Sequence, residues 1–165
     1  MRYVYIILSI ILLTTCNKVD DGYTLYVVKA GHERSSHLPT PVQVNKNSCD
    51  ISYITDDSWV WTDDNEYYSE GGIAKIAGFS DGFHRNQSCR LGYRHNYGIG
   101  EVGLFVEVGG NYHFFVLDTV QPNARYSCRL SYEGGDYVAR QNGKEARYAV
   151  VNDCWWGYRL YPCMA

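Results

Sequence analysis

The stretch RYSCRLSYE, Arg125–Glu133, alternates without a break. Tyr126, Cys128, Leu130 and Tyr132 fall on one side, and Ser127, Arg129 and Ser131 on the other. An extended strand with one buried face produces this pattern, whereas a helix would need its apolar residues three and four positions apart. Gly134-Gly135-Asp136 then turns the chain, YVARQ follows, and Asn142-Gly143 is the two-residue signal of a tight hairpin. EARYAVV and YRLYP continue the meander. Upstream, EVGLFVEV runs into Gly109-Gly110-Asn111 and returns as YHFFVLDTV, until Pro122-Asn123 breaks it. CDISYITDDSWVW and YTLYVVKAG read as further extended stretches, while residues 31–47, with Pro39 and Pro41, read as a loop. No segment sustains a helical period. Short strands at this spacing predict an all-β fold, an antiparallel β-sandwich of jelly-roll or lectin-like type. Sixteen tyrosines and four tryptophans in 165 residues suit strands, and they also suit binding surfaces.

The N-terminus, MRYVYIILSIILLTTCNK, places one arginine before a near-continuous apolar run from Val4 to Leu13. That is the pattern of a secretory signal peptide over residues 1–15, too short to cross a bilayer as a helix. Leu13-Thr14-Thr15-Cys16 resembles a bacterial lipobox, which would make Cys16 the lipidated residue and residues 16–22 a tether. The following NKVDD resembles the tract that sends some lipoproteins to the outer face of an outer membrane. Plain secretion, with Cys16 lost in the cleaved peptide, is the alternative. The domain would then be residues 23–165. Export permits disulfides among Cys49, Cys89, Cys128, Cys154 and Cys163, an odd set whose pairing sequence does not choose. The formal charge of -3 excludes the basic footprint of a nucleic-acid binder.

The densest polar stretch is SDGFHRNQSCRLGYR, residues 80–94. Its second half alternates, with Cys89, Leu91 and Tyr93 inward and Ser88, Arg90, Gly92 and Arg94 outward, so SDGFHRNQ is the turn entering a half-buried strand. The wider segment GFSDGFHRNQSCRLGYR resembles a motif of a family of uncharacterised secreted Bacteroidetes-type lipoproteins, G-F-S-D, one or two histidines, then N-S-A-R-F-G-W-R. YVVKAGH, ISYITDDSWVW, RQNGKEARY and GYRLYP resemble further segments of that family, so the resemblance covers most of residues 22–162. It implies the same fold and the same exported location, and it implies no particular activity. Cys89 stands where the family has alanine, and Gln87 is an extra residue. The family also continues past Tyr-Pro with a further strand, whereas this chain reads CMA. The resemblance therefore implies an open sheet edge here, or an end fastened by Cys163.

For chemistry, His84 with Asp81 has the spacing of a base and its orienter, but no nucleophile elbow accompanies them, and a capped turn is the simpler reading. His32, His37, His84, His95 and His113 lack the close pairing of a zinc site. The acidic run Asp56, Asp57, Asp63, Asp64 and Glu66 reads as a solvated loop, with Ca²⁺ as its alternative occupant. Glu101, Glu107 and Glu133 lie in or beside strands, yet form no paired-carboxylate pattern of a glycosidase. Asn86-Gln87-Ser88 is an N-glycosylation sequon, meaningful only in a eukaryotic source.

The residues point more readily to sugar binding. Trp59 and Trp61 share a face under the alternation, and flat aromatic faces stack on sugars. His84, Asn86, Arg90 and Arg94 flank them in sequence. If Arg129 lies on a neighbouring strand, the three arginines form a patch that holds a carboxylate or sulfate. The expectation is a surface lipoprotein that binds an extracellular ligand, foremost a glycan, without catalysis. The alternatives are a glycan hydrolase and a structural or adhesion protein of the envelope.

Overall fold

The computed structural model describes residues 40–43, 48–60, 72–83, 86–96, 98–150 and 156–164. The signal segment, the tether and the expected strand YTLYVVKAG lie outside them. The described chain forms β1 (Thr40–Gln43), β2 (Ser48–Ile54), β3 (Ala74–Ser80), β4 (Gln87–Asn96), β5 (Ile99–Val108), β6 (Asn111–Val120), β7 (Arg125–Glu133), β8 (Asp136–Gln141), β9 (Lys144–Ala149), β10 (Trp156–Leu160) and β11 (Cys163–Met164), with one 3-10 turn at Asp57–Trp59. The larger sheet has the order β1-β10-β3-β4-β5-β6, with β11 also paired to β3; the smaller has the order β2-β7-β8-β9. All pairings in both sheets are antiparallel. The two sheets pack face to face as a β-sandwich, β4 over β7 and β6 beside β9.

Three two-residue loops set the registers. Gly109-Gly110, Gly134-Gly135 and Asn142-Gly143 each place both residues at positive φ, the hairpin geometry that matches strand twist. The core follows from alternation. Cys89, Leu91 and Tyr93 of β4 and Val102, Leu104 and Val106 of β5 point inward. They meet Cys49, Ile51 and Tyr53 of β2, Cys128 and Leu130 of β7, and Tyr137 and Ala139 of β8 in one cluster. Each fully buried leucine or valine side chain contributes about 1.5–3 kcal/mol.

The strand β4 is buried on both faces, not half-buried. Its outward residues Ser88 and Arg90 are also buried, Arg90 at 5% exposure. The register explains this: Arg90 lies opposite Phe105, Gly92 opposite Gly103, and Phe105 opposite Phe114. The Phe114 ring covers the Gly92–Gly103 pair, where an added Cβ on either glycine would meet its Cε2 at 3.0 Å. Ile73 closes over the same spot. The outer face of the larger sheet thus carries a second apolar layer.

Several expectations are corrected. Residues 40–43 are a strand, and Pro41 is accommodated because β1 is an edge of the larger sheet, where a missing N–H is tolerated. AKIAGFS forms β3, which no alternation signals because a register shift between Lys75 and Ala77 interrupts it. The stretch CDISYITDDSWVW stops being a strand at Ile54, where Asp56 caps the following turn by accepting from the Ser58 N–H at 2.9 Å. The C-terminal segment leaves no open edge at β10, which lies between β1 and β3. Among the described sulfurs, Cys49, Cys89 and Cys128 are free thiols buried in the core, so none of them contributes a disulfide. Burial raises the Cys128 thiol to about 12 and pushes Cys89 well above its ordinary range. Neither forms the reactive thiolate at neutral pH.

Two outcomes follow. In the folded protein a maleimide should leave Cys49, Cys89 and Cys128 unmodified, and in guanidinium it should label all of them, as read by peptide mass mapping. Gly78 approaches the next strand so closely that a Cβ would sit 2.1 Å from the Cys89 carbonyl oxygen. Gly78→Ala should therefore lower unfolding stability by about 1–3 kcal/mol in a denaturant titration.

Candidate functional site

The larger sheet ends on one flank at β6 and the smaller at β9, and the two edges lie side by side without pairing. β6 carries three of the exposed large hydrophobics: Tyr112 at 68%, Val116 at 46% and Phe115 at 36%. Its inward side chains His113 and Phe115 reach this flank, whereas Leu117 and Val120 further along join the closed core. His113 stacks on Tyr148 of β9 with centroids 5.2 Å apart, and Phe115 lies 5.8 Å from the same ring. Tyr112 points to the other face, its ring parallel to Phe105 at 6.0 Å. Phe105 in turn receives the Lys75 ammonium 4.7 Å from its centroid. Around the β5–β6 hairpin lies an open groove of about 490 Å³, lined by Val108, Gly110, Asn111, Tyr112, His113 and Tyr148.

Further along the flank a polar clasp ties the two edges. Asp118 of β6 accepts from Asn142 Nδ2 at 2.7 Å and from Lys144 Nζ at 2.5 Å. Burial would raise this carboxyl, but hydrogen bonds from Lys144, Asn142 and the Thr119 N–H outweigh it and hold the group below its ordinary value. The clasp joins the sheets at one end of the flank and leaves the aromatic end open.

The sequence candidates are dispersed. Trp59 lies beyond the end of β2, in the turn, where strand alternation no longer applies. Tyr53 stacks on it at 5.6 Å and Tyr93 meets it edge-on at 4.7 Å. The Tyr93 hydroxyl donates to the Trp59 carbonyl, and burial pushes that phenol up to about 12. Trp59 is therefore a plug over one end of the sandwich. The cavity beside it, shared with Thr55, Tyr93 and His95, holds only about 60 Å³, room for a water or two. Trp61 and His84 lie outside the described residues.

Asn86 is exposed in the hairpin tip, where its carbonyl accepts from the Gly109 N–H at 2.8 Å. In that tip Asp81 accepts from Gln87 Nε2 at 3.0 Å, both residues being buried, and the Asp81 N–H donates to the Gln87 carbonyl at 3.0 Å, so a side-chain and a backbone bond together close the turn. Phe83, exposed, packs edge-on against Trp156 at 5.3 Å nearby.

The cationic patch does not form. Arg90 is buried in the outer layer of the larger sheet. Arg94 is bound to Glu101 at 2.6 Å and lies 5.1 Å from the Phe114 centroid. Arg129 is on the outer face of the smaller sheet, bonded to Ser48 at 2.8 Å and 3.7 Å from Asp50. The sandwich separates it from the other two.

The carboxylates are likewise apart. Glu101 and Glu107 share a face of β5 six residues apart, roughly 20 Å along a strand. Glu133 is on the opposite sheet, forked by Arg140 at 2.5 and 2.7 Å. These three provide no pair at glycosidase spacing. Of the acidic run, Asp56 is bonded to Ser58 and Asp57 accepts from Asn123; Asp63, Asp64 and Glu66 lie outside the described residues. Among the described residues no group of three His, Cys, Asp or Glu is placed to hold a metal ion.

The Tyr112–His113 site escaped the sequence reading because YHFFVLDTV is a nearly unbroken apolar run, which reads as core. One signal was present: the stretch lacks lysine and arginine, the charges that usually guard an edge strand.

The Arg140 fork holds the Glu133 carboxyl down at about 2, with the Ser131 hydroxyl helping. A carboxyl lowered on folding contributes stability above its unfolded value of about 4.3 and loses it as pH falls toward 2. Between those limits the denaturation midpoint of the wild-type chain should fall more steeply than that of Glu133→Gln.

No protein-family model matches this chain, and no curated protein matches its sequence.

Proposed function

We propose that this protein is a non-catalytic binding module for an extracellular glycan, exported and held at a bacterial surface through lipid on Cys16. The reading is carried by one observation: a bare tyrosine ring and a stacked histidine–tyrosine pair border the same open groove on the β6/β9 flank. Flat aromatic platforms with solvent on one side suit the apolar faces of sugar rings, and Asn111 and His113 supply polar groups to orient hydroxyls. The platforms stand on strands, so they are pre-ordered and lose little entropy on binding. The signal-like leader and the lipobox-like Cys16 support the location, and no helix among the described residues is long and apolar enough to cross a membrane.

The hydrolase alternative finds little support in Glu101, Glu107 and Glu133, each held in an ion pair and none near another. A glycan array probed with the full chain tests the proposal. Wild type should bind at least one glycan class, and Tyr112→Ala and Tyr148→Ala should each weaken that binding up to roughly tenfold, the scale of one lost aromatic contact. Trp59→Phe should leave it unchanged. Binding that ignores both tyrosines, or an array with no hit, would contradict the proposal.

A further inference from the structure

The groove also has a chemical signature that selects among glycans. Among the described residues, none that lines it carries a carboxylate, an ammonium or a guanidinium. Among the described residues the nearby cations are engaged elsewhere: Lys144 by Asp118 at 2.5 Å, Lys75 by the Phe105 ring and Glu107, and Arg147 by Glu145 at 2.5 Å. Across the β5–β6 ladder from Tyr112 stands Glu107, whose carboxylate is itself paired with Lys75 at 3.8 Å. A sulfate or uronate needs a free cationic fork, and the described lining offers none.

The second element is directional. Tyr112 and His113 are successive residues of a strand, so their side chains leave opposite faces. Tyr112 rests on the outer layer through Phe105, and His113 rests on Tyr148 at the inner flank. The groove therefore passes over the tip of the edge strand, with one platform on each side. At that tip Gly110 has positive φ, and a Cβ there would meet no atom within 4 Å, so the backbone leaves the crossing clear. A single sugar ring covers one platform only.

Resting on the glycan-binding reading, we infer that the ligand is an uncharged oligosaccharide of at least two units, laid across the start of β6 with one ring on Tyr112 and another on the His113–Tyr148 pair.

Calorimetric titration of the full chain with a panel of probes separates the possibilities. The panel holds tetrasaccharides of glucan, mannan, xylan and galactan, their monosaccharides, and the anionic oligogalacturonate and chondroitin sulfate tetrasaccharides. At least one neutral tetrasaccharide should bind tenfold or more tighter than its monosaccharide and than either anionic probe, and Tyr112→Ala and Tyr148→Ala should each reduce that difference. Binding confined to the anionic probes, yet still lost in Tyr112→Ala, would overturn the uncharged ligand while leaving glycan binding intact. A monosaccharide binding as well as its tetrasaccharide would overturn the two-platform arrangement. Absence of binding to every probe would overturn the inference together with the reading beneath it.

Discussion

The pairing of β4 with β5 is the constraint on which the rest of the molecule depends. Ten residues of each strand pair in continuous register from Gln87–Val108 to Asn96–Ile99, and both faces of the pair are packed. Inward, Cys89, Leu91, Tyr93, Val102, Leu104 and Val106 form half of the sandwich core. Outward, Arg90, Phe105 and the glycine pair beneath Phe114 form a second layer. A slip of one residue would exchange these two sets. It would drive a guanidinium into the core and set the Phe114 ring against a side chain where it now lies on glycine. Every other strand of the larger sheet takes its register from this pair.

A sandwich of this kind must close its ends and flanks, and each is closed differently. One end is plugged by the Tyr126–Tyr53–Trp59–Tyr93 aromatic row, latched by Thr55, whose hydroxyl donates to the Gln121 carbonyl at 2.6 Å. The other is closed by the Asp81–Gln87 bond in the β3–β4 hairpin. The outer face of the smaller sheet is covered by a solvated ion-pair lattice of Glu133, Arg140, Glu145, Arg147 and Asp136. The β9 edge is guarded by the charges of that lattice. β6 is guarded by the Asp118 clasp near its far end, and from Asn111 to Val116 it carries polar, aromatic and apolar groups without a lysine, arginine or carboxylate. An edge left this way is either a hazard or a surface in use. The stacked rings and the groove favour use.

Much of this was legible in the sequence wherever one face of a strand meets water. The alternation in RYSCRLSYE and the Asn142-Gly143 turn correspond residue by residue to β7, β8 and β9. Legibility failed where that assumption fails. Arg90 looks like a solvent residue in SCRLGYR, because alternation assigns faces and says nothing of what covers them. Trp59 and Trp61 look like a pair only while the strand continues, and a local hydrogen bond from the Ser58 N–H to Asp56 ends it earlier. The ring of Tyr112 looks like core because edge position depends on strand order, a tertiary property. The proposed binding surface thus sits where an apolar strand lacks its next neighbour, and only topology reveals that.

The central claim is that the β6/β9 flank, and not the tryptophan end, is the face that meets a ligand. Aromatic-region two-dimensional NMR of the full chain, titrated with neutral plant and yeast oligosaccharides, tests it most directly. The account predicts that the ring signals of Tyr112, His113 and Tyr148 move together with added sugar while those of Trp59 and Tyr93 stay fixed. Shifts centred on Trp59 and Tyr93, or a flank whose rings never move, would contradict it.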